Sequence, residues 1–240
     1  MLLDDSVLAK RENLSVDVPV ISIDGPSGSG KGSVASQLAK GLNWHFLDSG
    51  AIYRALAFLV HATSTPIEEQ ALVQCIERLK LRLQVSATDD KLIVLWEQRD
   101  ITEEIRTEAM GLLASQLAVY PMVRKALLSY QRNFRQPPGL VADGRDMGTV
   151  VFPDAVLKIF LLATLEERVK RRCLQLKARG KHASLDSVYV ELERRDNRDK
   201  QRAVAPLRAA KDAVVIDTTN LSVAEVLQCI HSKLQTIRKV

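Results

Sequence analysis

The sequence predicts an α/β fold in which a parallel sheet carries helices on both faces. Short apolar runs rich in β-branched residues alternate with segments of helical spacing, and this alternation is typical of parallel sheets. A glycine-rich turn joins the first strand to the first helix. One stretch in the middle of the chain breaks the alternation. Together these observations predict an α/β core that contains an insert.

The core elements follow one another in a regular order along the chain. Each predicted strand is a short apolar run, and each predicted helix repeats apolar residues at intervals of three and four. We predict strands over 18–24, 44–47, 140–143, 156–161 and 213–216. We predict helices over 31–41, 49–61, 165–179, 185–200 and 223–237, the second of them capped by Ser49.

The insert has a different pattern from the core. Residues 79–85 and 91–96 alternate apolar with polar positions on either side of a polar turn, which predicts an antiparallel hairpin. Segments 67–79 and 103–120 have helical spacing and flank the hairpin. The predicted insert therefore runs from about 66 to 118.

Composition narrows the class of protein. Of the 240 residues 46% are apolar and 26% charged, which excludes wholesale disorder, and the net charge of +5 is too small for a histone-like protein. No apolar run reaches the roughly 18 residues of a membrane span, and residues 1–17 mix both charge signs, which predicts a flexible extension rather than a secretory signal. The three cysteines are far apart, so we expect no disulfide framework or cysteine zinc site, and a cytoplasmic location.

The glycine-rich turn is the strongest signal of function. It follows a predicted strand, opens a predicted helix and matches G-x-x-x-x-G-K, the pattern whose backbone N–H groups surround phosphate oxygens. Its residues, with the two that follow, are Gly25, Pro26, Ser27, Gly28, Ser29, Gly30, Lys31, Gly32 and Ser33. We therefore predict nucleotide binding. The Asn-Lys-x-Asp motif that reads guanine in GTPases is absent, which disfavours a GTP-driven switch.

A basic stretch supplies the second signal. Residues 168–211 contain 14 Lys and Arg against 5 Asp and Glu. Within it Arg195, Arg198 and Arg202 lie three and four positions apart, on one helical face with Asp199. Such a stretch is usually a solvated helix face, but arginines that converge on a phosphate loop are what phosphoryl transfer requires. Nucleic-acid binding is the alternative, although the aromatic residues are scattered and form no visible stacking platform.

Two further segments end predicted strands. Asp143 ends an apolar run, where a carboxylate can hold Mg²⁺ directly or through water, or can simply cap a turn. Arg145 and Asp146 follow it at the edge of the sheet where ligands of open α/β folds bind. Near the second strand, Arg54 lies one turn after Ser49 and can reach a phosphate.

Four segments together resemble the bacterial cytidylate kinases, namely IDGPSGSGKGS at 23–33, LDSGAIYR at 47–54, ADGRDMGTVVFPDA at 142–155 and RDNRDKQRAVAPL at 195–207. The likeness extends from about residue 18 to 234. It implies a P-loop NTPase fold, a three-layer α/β/α core with a five-stranded parallel sheet in the order 2-3-1-4-5. It also implies a single domain over 18–240, with the core at 18–65, 119–171 and 203–240. A monophosphate-binding insert with a small antiparallel sheet would span about 66–118, and a helical lid about 172–202.

The resemblance also implies an activity and roles for single residues. Members transfer the γ-phosphoryl group of ATP to CMP or dCMP with Mg²⁺, act as monomers, and bind neither nucleic acid nor membrane. The residues implied to hold the acceptor and transferring phosphates are Arg54, Arg145 and Arg202, alongside Lys31. Those implied to read the cytosine are Ser49, Arg124 and Asp146. Those implied to lie against the sugar are Ser115, Arg195 and Asp199. Ser33 and Asp143 are the candidate Mg²⁺ ligands.

Two rival hypotheses remain open from the residues. A kinase of the same fold could act on UMP, AMP or a non-nucleotide acceptor. A switch or an ATP-dependent nucleic-acid-binding module would instead show no ADP formation that depends on an acceptor.

Overall fold

A parallel sheet forms the centre of the molecule. The structure, a computed structural model, describes residues 18–86, 92–178, 180 and 183–237; the predicted extension at 1–17 and the hairpin turn at 87–91 lie outside these. Numbered along the chain, the core strands are β1 (Val20–Asp24), β2 (His45–Asp48), β6 (Leu140–Gly144), β7 (Leu157–Leu162) and β8 (Val214–Asp217). They lie in the order β2-β6-β1-β7-β8, all parallel. The predicted order 2-3-1-4-5 is confirmed.

A second, three-stranded sheet lies in the middle of the chain. It consists of β3 (Leu81–Val85), β4 (Leu92–Trp96) and β5 (Arg99–Asp100), paired antiparallel in that order. The predicted hairpin is thereby confirmed, with a third short strand that the sequence analysis does not predict.

The helices surround both sheets. They are α1 (Lys31–Leu42), α2 (Ser49–Ala62), α3 (Glu69–Glu77), α4 (Thr102–Ile105), α5 (Glu108–Leu117), α6 (Pro121–Arg132), α7 (Leu165–Ala178), α8 (Leu185–Gln201) and α9 (Val223–Ile237). A π-helical turn covers Met147–Val151. In the part of the chain that the structure describes, no helix is long and apolar enough to cross a bilayer.

The single helix predicted over 103–120 is wrong. The chain forms α4 and α5 instead, because Thr107 adopts an extended conformation and its hydroxyl accepts a hydrogen bond from the N–H of Met110 at 3.3 Å, which starts a new helix. Helix α6 follows from Pro121, whose fixed φ suits a first helical position. The sequence analysis does not predict α6.

Two hydrophobic clusters stabilise the molecule. The larger one includes the fully buried strand β1 and residues of the surrounding helices. The smaller one joins α7 to α8 through Val169, Leu176, Val188 and Leu192, and these side chains belong to no other cluster of the described residues. The α7–α8 hairpin therefore has a core of its own.

Candidate active site

The glycine-rich loop between β1 and α1 has a backbone that only glycine can adopt at two points. Gly25 has φ +147°, and a Cβ there would lie 2.1 Å from the carbonyl oxygen of Leu161. Gly30, at the N-cap of α1, lies in the left-handed region with φ 90°. The free N–H groups and positive end of α1 therefore face the loop without an obstructing side chain.

Lys31, the first residue of α1, is folded back onto the loop. Its Nζ donates to the carbonyl of Pro26 at 2.7 Å and lies 3.5 Å from Oγ of Ser29. Burial, together with the positive charge of Arg145, lowers the pKa of Lys31 to about 7. A phosphate bound at this position would place further negative charge beside the Lys31 ammonium and favour its protonated form.

Three residues outside the loop hold it in place. Arg168 on α7 donates to the carbonyl of Ser27 at 3.1 Å and pairs with Asp196 on α8 at 2.7 Å. The hydroxyl of Thr218, just after β8, donates to the carbonyl of Ser29 at 3.0 Å. Arg171 in turn donates to the hydroxyl of Thr218 at 3.1 Å. Sequence reasoning missed these roles; the only available signals were the basic stretch and the place of Thr218 after a strand.

A cavity of about 630 Å³ opens beside the loop. Five arginines line this cavity: Arg54, Arg145, Arg171, Arg172 and Arg195. Burial, reinforced by Arg54 and Arg145, lowers the pKa of Arg195 to about 9. An arginine whose charge is disfavoured in this way gains from a polyanion such as a triphosphate. Gly25 and Pro26 belong to the loop but do not line this cavity.

A smaller pocket adjoins this cavity. Gly50, Arg145 and Arg195 line both. Eight residues singled out in the sequence line the smaller pocket: Ser49, Ser115, Arg124, Arg145, Asp146, Arg195, Asp199 and Arg202. Arg54 lines only the larger cavity, and Arg198, the third member of the predicted stripe, lines neither. Tyr53 also lines the smaller pocket, and the sequence analysis assigns it no role.

Unpartnered polar atoms are concentrated at the smaller pocket. Among the described residues, eight buried side-chain nitrogen or oxygen atoms have no hydrogen-bond partner. Four of them belong to pocket-lining residues: the hydroxyls of Tyr53 and Ser115, Nε of Arg124 and Nη2 of Arg202. Because an unmade buried hydrogen bond costs about 1–3 kcal/mol, this concentration indicates a site built for a polar ligand.

Two ion pairs orient the acidic residues of the pocket. Arg145 donates to Asp199 at 2.9 Å, and Arg124 donates to Oδ2 of Asp146. Burial alone would raise the pKa of Asp199, but Arg145, Arg202 and Arg195 hold it below its usual value. The Arg124 bond leaves Oδ1 of Asp146 to accept from a ligand.

Asp24, at the end of β1, fixes the segment that contains Arg145 and Asp146. Its two carboxylate oxygens accept hydrogen bonds from the N–H groups of Met147 and Gly148, each at 2.8 Å. Burial raises the pKa of Asp24 to about 6, although these two bonds lower it. The sequence analysis does not single out Asp24, which is a scaffold for the pocket.

We expect Asp24→Asn to lower the free energy of unfolding by about 1–3 kcal/mol at neutral pH, because an amide can accept only one of the two bonds. The folded pKa of Asp24 lies above its unfolded value, so ionisation of this carboxyl removes part, but not all, of the stability that it provides as the pH rises from 3.8 to about 6. The asparagine variant has no carboxyl at this position and so lacks this loss. The difference in unfolding free energy between the unmodified protein and Asp24→Asn should therefore become smaller as the pH rises through that range.

Urea denaturation on both sides of that pH range measures the difference. Asp154→Asn, which removes an exposed carboxylate, is the matched control. A difference that is constant or widens as the pH rises would contradict this role for Asp24.

The predicted cap of α2 is wrong. The N-cap is Asp48, whose carboxylate accepts from the N–H of Ala51 at 2.9 Å. Ser49 is buried, and its hydroxyl donates to Oε1 of Gln131 on α6 at 2.8 Å. Asp48 has the better position because its extended backbone directs its side chain at the free N–H groups of the first turn.

The candidate metal ligands lie close to the phosphate loop. Asp143 is buried at the carboxyl end of β6, and its Oδ2 lies 3.5 Å from the position that a Cβ on Gly32 would take. Burial raises the pKa of Asp143 to about 7, while Lys31 lowers it. No three His, Cys, Asp or Glu side chains of the described residues form a metal-binding group. A carboxylate and the Ser33 hydroxyl are hard oxygen donors and fit Mg²⁺ that takes its other ligands from phosphates and water.

Comparisons with known proteins agree with this geometry. The family model described as cytidylate kinase matches residues 21–236. A cytidylate kinase of Stutzerimonas stutzeri is 55% identical over 218 residues, which cover 90% of this chain and 95% of the relative. A cytidylate kinase of Pseudomonas syringae is 52% identical, covering 92% and 97%, and one of Proteus mirabilis is 51% identical, covering 90% and 95%.

Proposed function

The chain belongs to the cytidylate kinase family, whose members are phosphotransferases that convert ATP and CMP or dCMP to ADP and CDP or dCDP, and we propose which residues of this chain perform each part of that reaction. The family membership rests on a model match over most of the chain and on relatives that are more than half identical. The roles of single residues rest on the two adjoining pockets.

The larger cavity takes the donor nucleotide, ATP. The backbone N–H groups of the loop and the N-terminus of α1 bind its phosphates, and Lys31 moves from the carbonyl of Pro26 to a phosphate oxygen. Ser33 and Asp143 hold Mg²⁺, directly or through water. Bound there, the metal neutralises charge on the phosphate oxygens.

The smaller pocket takes the acceptor. Arg145 lies at the boundary of the two cavities, where the transferred group must pass, and with Arg54 and Arg202 it neutralises the charge that spreads over the phosphoryl oxygens. Ser115, Arg195 and Asp199 contact the sugar.

Ser49, Arg124 and Asp146 read the base. Cytosine offers an amine with two hydrogens beside acceptors at N3 and O2. Oδ1 of Asp146 accepts one amine hydrogen, and the unpartnered Nε of Arg124 donates to the ring. Uracil would place a carbonyl against the carboxylate and leave both acceptors unpaired.

Two segments close over the substrates. We assign the insert, about 66–118, to the monophosphate side and the segment at about 172–202 to a lid over ATP. The separate core of the α7–α8 hairpin supports the second assignment, because a segment with its own core can move as a unit. Closure would exclude water and so limit hydrolysis of ATP.

The observation that best supports the acceptor site is the set of four unpartnered buried atoms around one pocket. The direct test measures ADP formation from ATP and Mg²⁺ with CMP, dCMP, UMP, AMP or no acceptor. Fast turnover with CMP and dCMP, slow turnover with UMP and background without acceptor is the expected result. A preference for UMP or AMP would reject the base assignment, and equal rates without acceptor would indicate an ATPase.

We further infer a monomer that works in the cytoplasm and uses small nucleotides rather than nucleic acid. Light scattering after size-exclusion chromatography tests whether the protein is a monomer. Retention of the protein on DNA at moderate salt would contradict the inference that it does not bind nucleic acid.

A further inference from the structure

A chain of hydrogen bonds ends at the hydroxyl of Ser49. On α6, Nε2 of Gln131 donates to the carbonyl of Leu127 at 3.2 Å. Oε1 of the same amide accepts from the Ser49 hydroxyl at 2.8 Å. Gln131 is buried and does not line the pocket, whereas Ser49 does.

The carbonyl of Leu127 determines which group donates and which accepts in these hydrogen bonds. A carbonyl oxygen only accepts, so the amide of Gln131 must present its N–H₂ group there and its oxygen to Ser49. With the opposite amide orientation, two acceptors would face each other. The Ser49 hydroxyl therefore donates its single hydrogen to Oε1 of Gln131.

We propose that Gln131 is a positioning residue for base selection, because it turns the Ser49 hydroxyl into an obligate acceptor on the pocket side. A hydroxyl that is free to rotate can accept from an amine or donate to a carbonyl, and so does not discriminate between the two. Held by Gln131, it offers only lone pairs. It therefore accepts the second amine hydrogen of cytosine and meets the O4 carbonyl of uracil with another acceptor.

Helix α6 connects the Gln131–Ser49 hydrogen bond to the other residues proposed to read the base. Arg124, Leu127 and Gln131 occupy its buried face, and Arg124 forms the ion pair with Asp146. One helix thus fixes both acceptors that face the amine, Asp146 through Arg124 and Ser49 through Gln131. The inference rests on the proposed function, in which Ser49 faces the base of the acceptor.

The test compares the ratio of kcat/KM for CMP to that for UMP. We expect Gln131→Met, which keeps the length of the side chain but neither hydrogen bond, to lower this ratio about five-fold, largely through faster use of UMP. Gln131→Glu, protonated because it is buried, can donate to the carbonyl of Leu127 and still accept from Ser49, so it should keep the ratio within about two-fold. In a Ser49→Ala background, Gln131→Met should change the ratio no further.

The outcomes separate this inference from the proposed function. If Ser49→Ala lowers the ratio and Gln131→Met does not, the positioning role is wrong and Ser49 still reads the base. If Ser49→Ala leaves the ratio unchanged, Ser49 does not read the base and both assignments are rejected. Equal losses with both nucleotides in Gln131→Met would indicate packing alone. If the methionine variant does not fold, Gln131→Leu provides the same comparison.

Discussion

Replacing Lys31 with alanine is expected to lower kcat about 100- to 1,000-fold with every acceptor. The lysine is buried beside the phosphate loop and lines the larger cavity. In the role proposed for it, its charge acts on the transferring phosphoryl group rather than on the base, so CMP, dCMP and UMP should lose turnover by the same factor. Single-turnover formation of ADP measures the chemical step directly.

Lys40→Ala is the matched control, since Lys40 is an exposed lysine near the other end of the same helix. It should retain the turnover of the unmodified protein. Thermal unfolding of both variants checks that the loop lysine has not acted through stability. A loss confined to one acceptor, or a Lys31→Ala protein with near-normal kcat, would contradict a role in phosphoryl transfer.

The second large effect concerns Asp146. We expect Asp146→Ala to lower the preference for CMP over UMP about 10- to 100-fold, because cytosine loses an acceptor for its amine while uracil loses a repulsive contact. The ratio of kcat/KM for the two nucleotides measures this. The alanine variant also leaves the buried guanidinium of Arg124 without its partner, so we expect a lower unfolding temperature as well.

Asp146→Asn separates specificity from stability. Its amide oxygen can still accept from Arg124, and its N–H₂ group can donate to the O4 carbonyl of uracil, so the use of UMP should rise. Asp154→Ala, which removes a half-exposed carboxylate paired with Arg135, is the control for loss of a carboxylate. Equal losses with CMP and UMP in the Asp146 variants would reject the base-reading role.

The sequence predicts the parts of this molecule that depend on local pattern. The phosphate loop is recognisable because its glycines, Lys31 and the flanking strand and helix are contiguous. The strand order followed from family resemblance, and the structure confirms it. The sequence pattern does not predict the break between α4 and α5, because Thr107, whose hydroxyl caps α5, lies within a segment whose apolar residues have helical spacing.

Partners that are distant in sequence were not predictable. Asp24 and Gly148 meet across 124 positions, and Thr218 and Ser29 across 189. No spacing rule connects such residues, and the pattern around Gln131 resembles any amphipathic helix. The fold brings them together because the carboxyl ends of parallel strands share one edge of the sheet.

The anchoring of Arg168 has a mechanical consequence. Its bonds to Ser27 and Asp196 fix the start of α7 and the later part of α8, so the base of the hairpin is pinned to the loop. From Arg168 to its end at Ala178, helix α7 extends about 15 Å. A rotation of the hairpin by about 10° around this pivot would displace the end of α7 by roughly 3 Å. The displacement would be greatest at the far end of the hairpin, near the exposed Leu185, and least beside the phosphate loop.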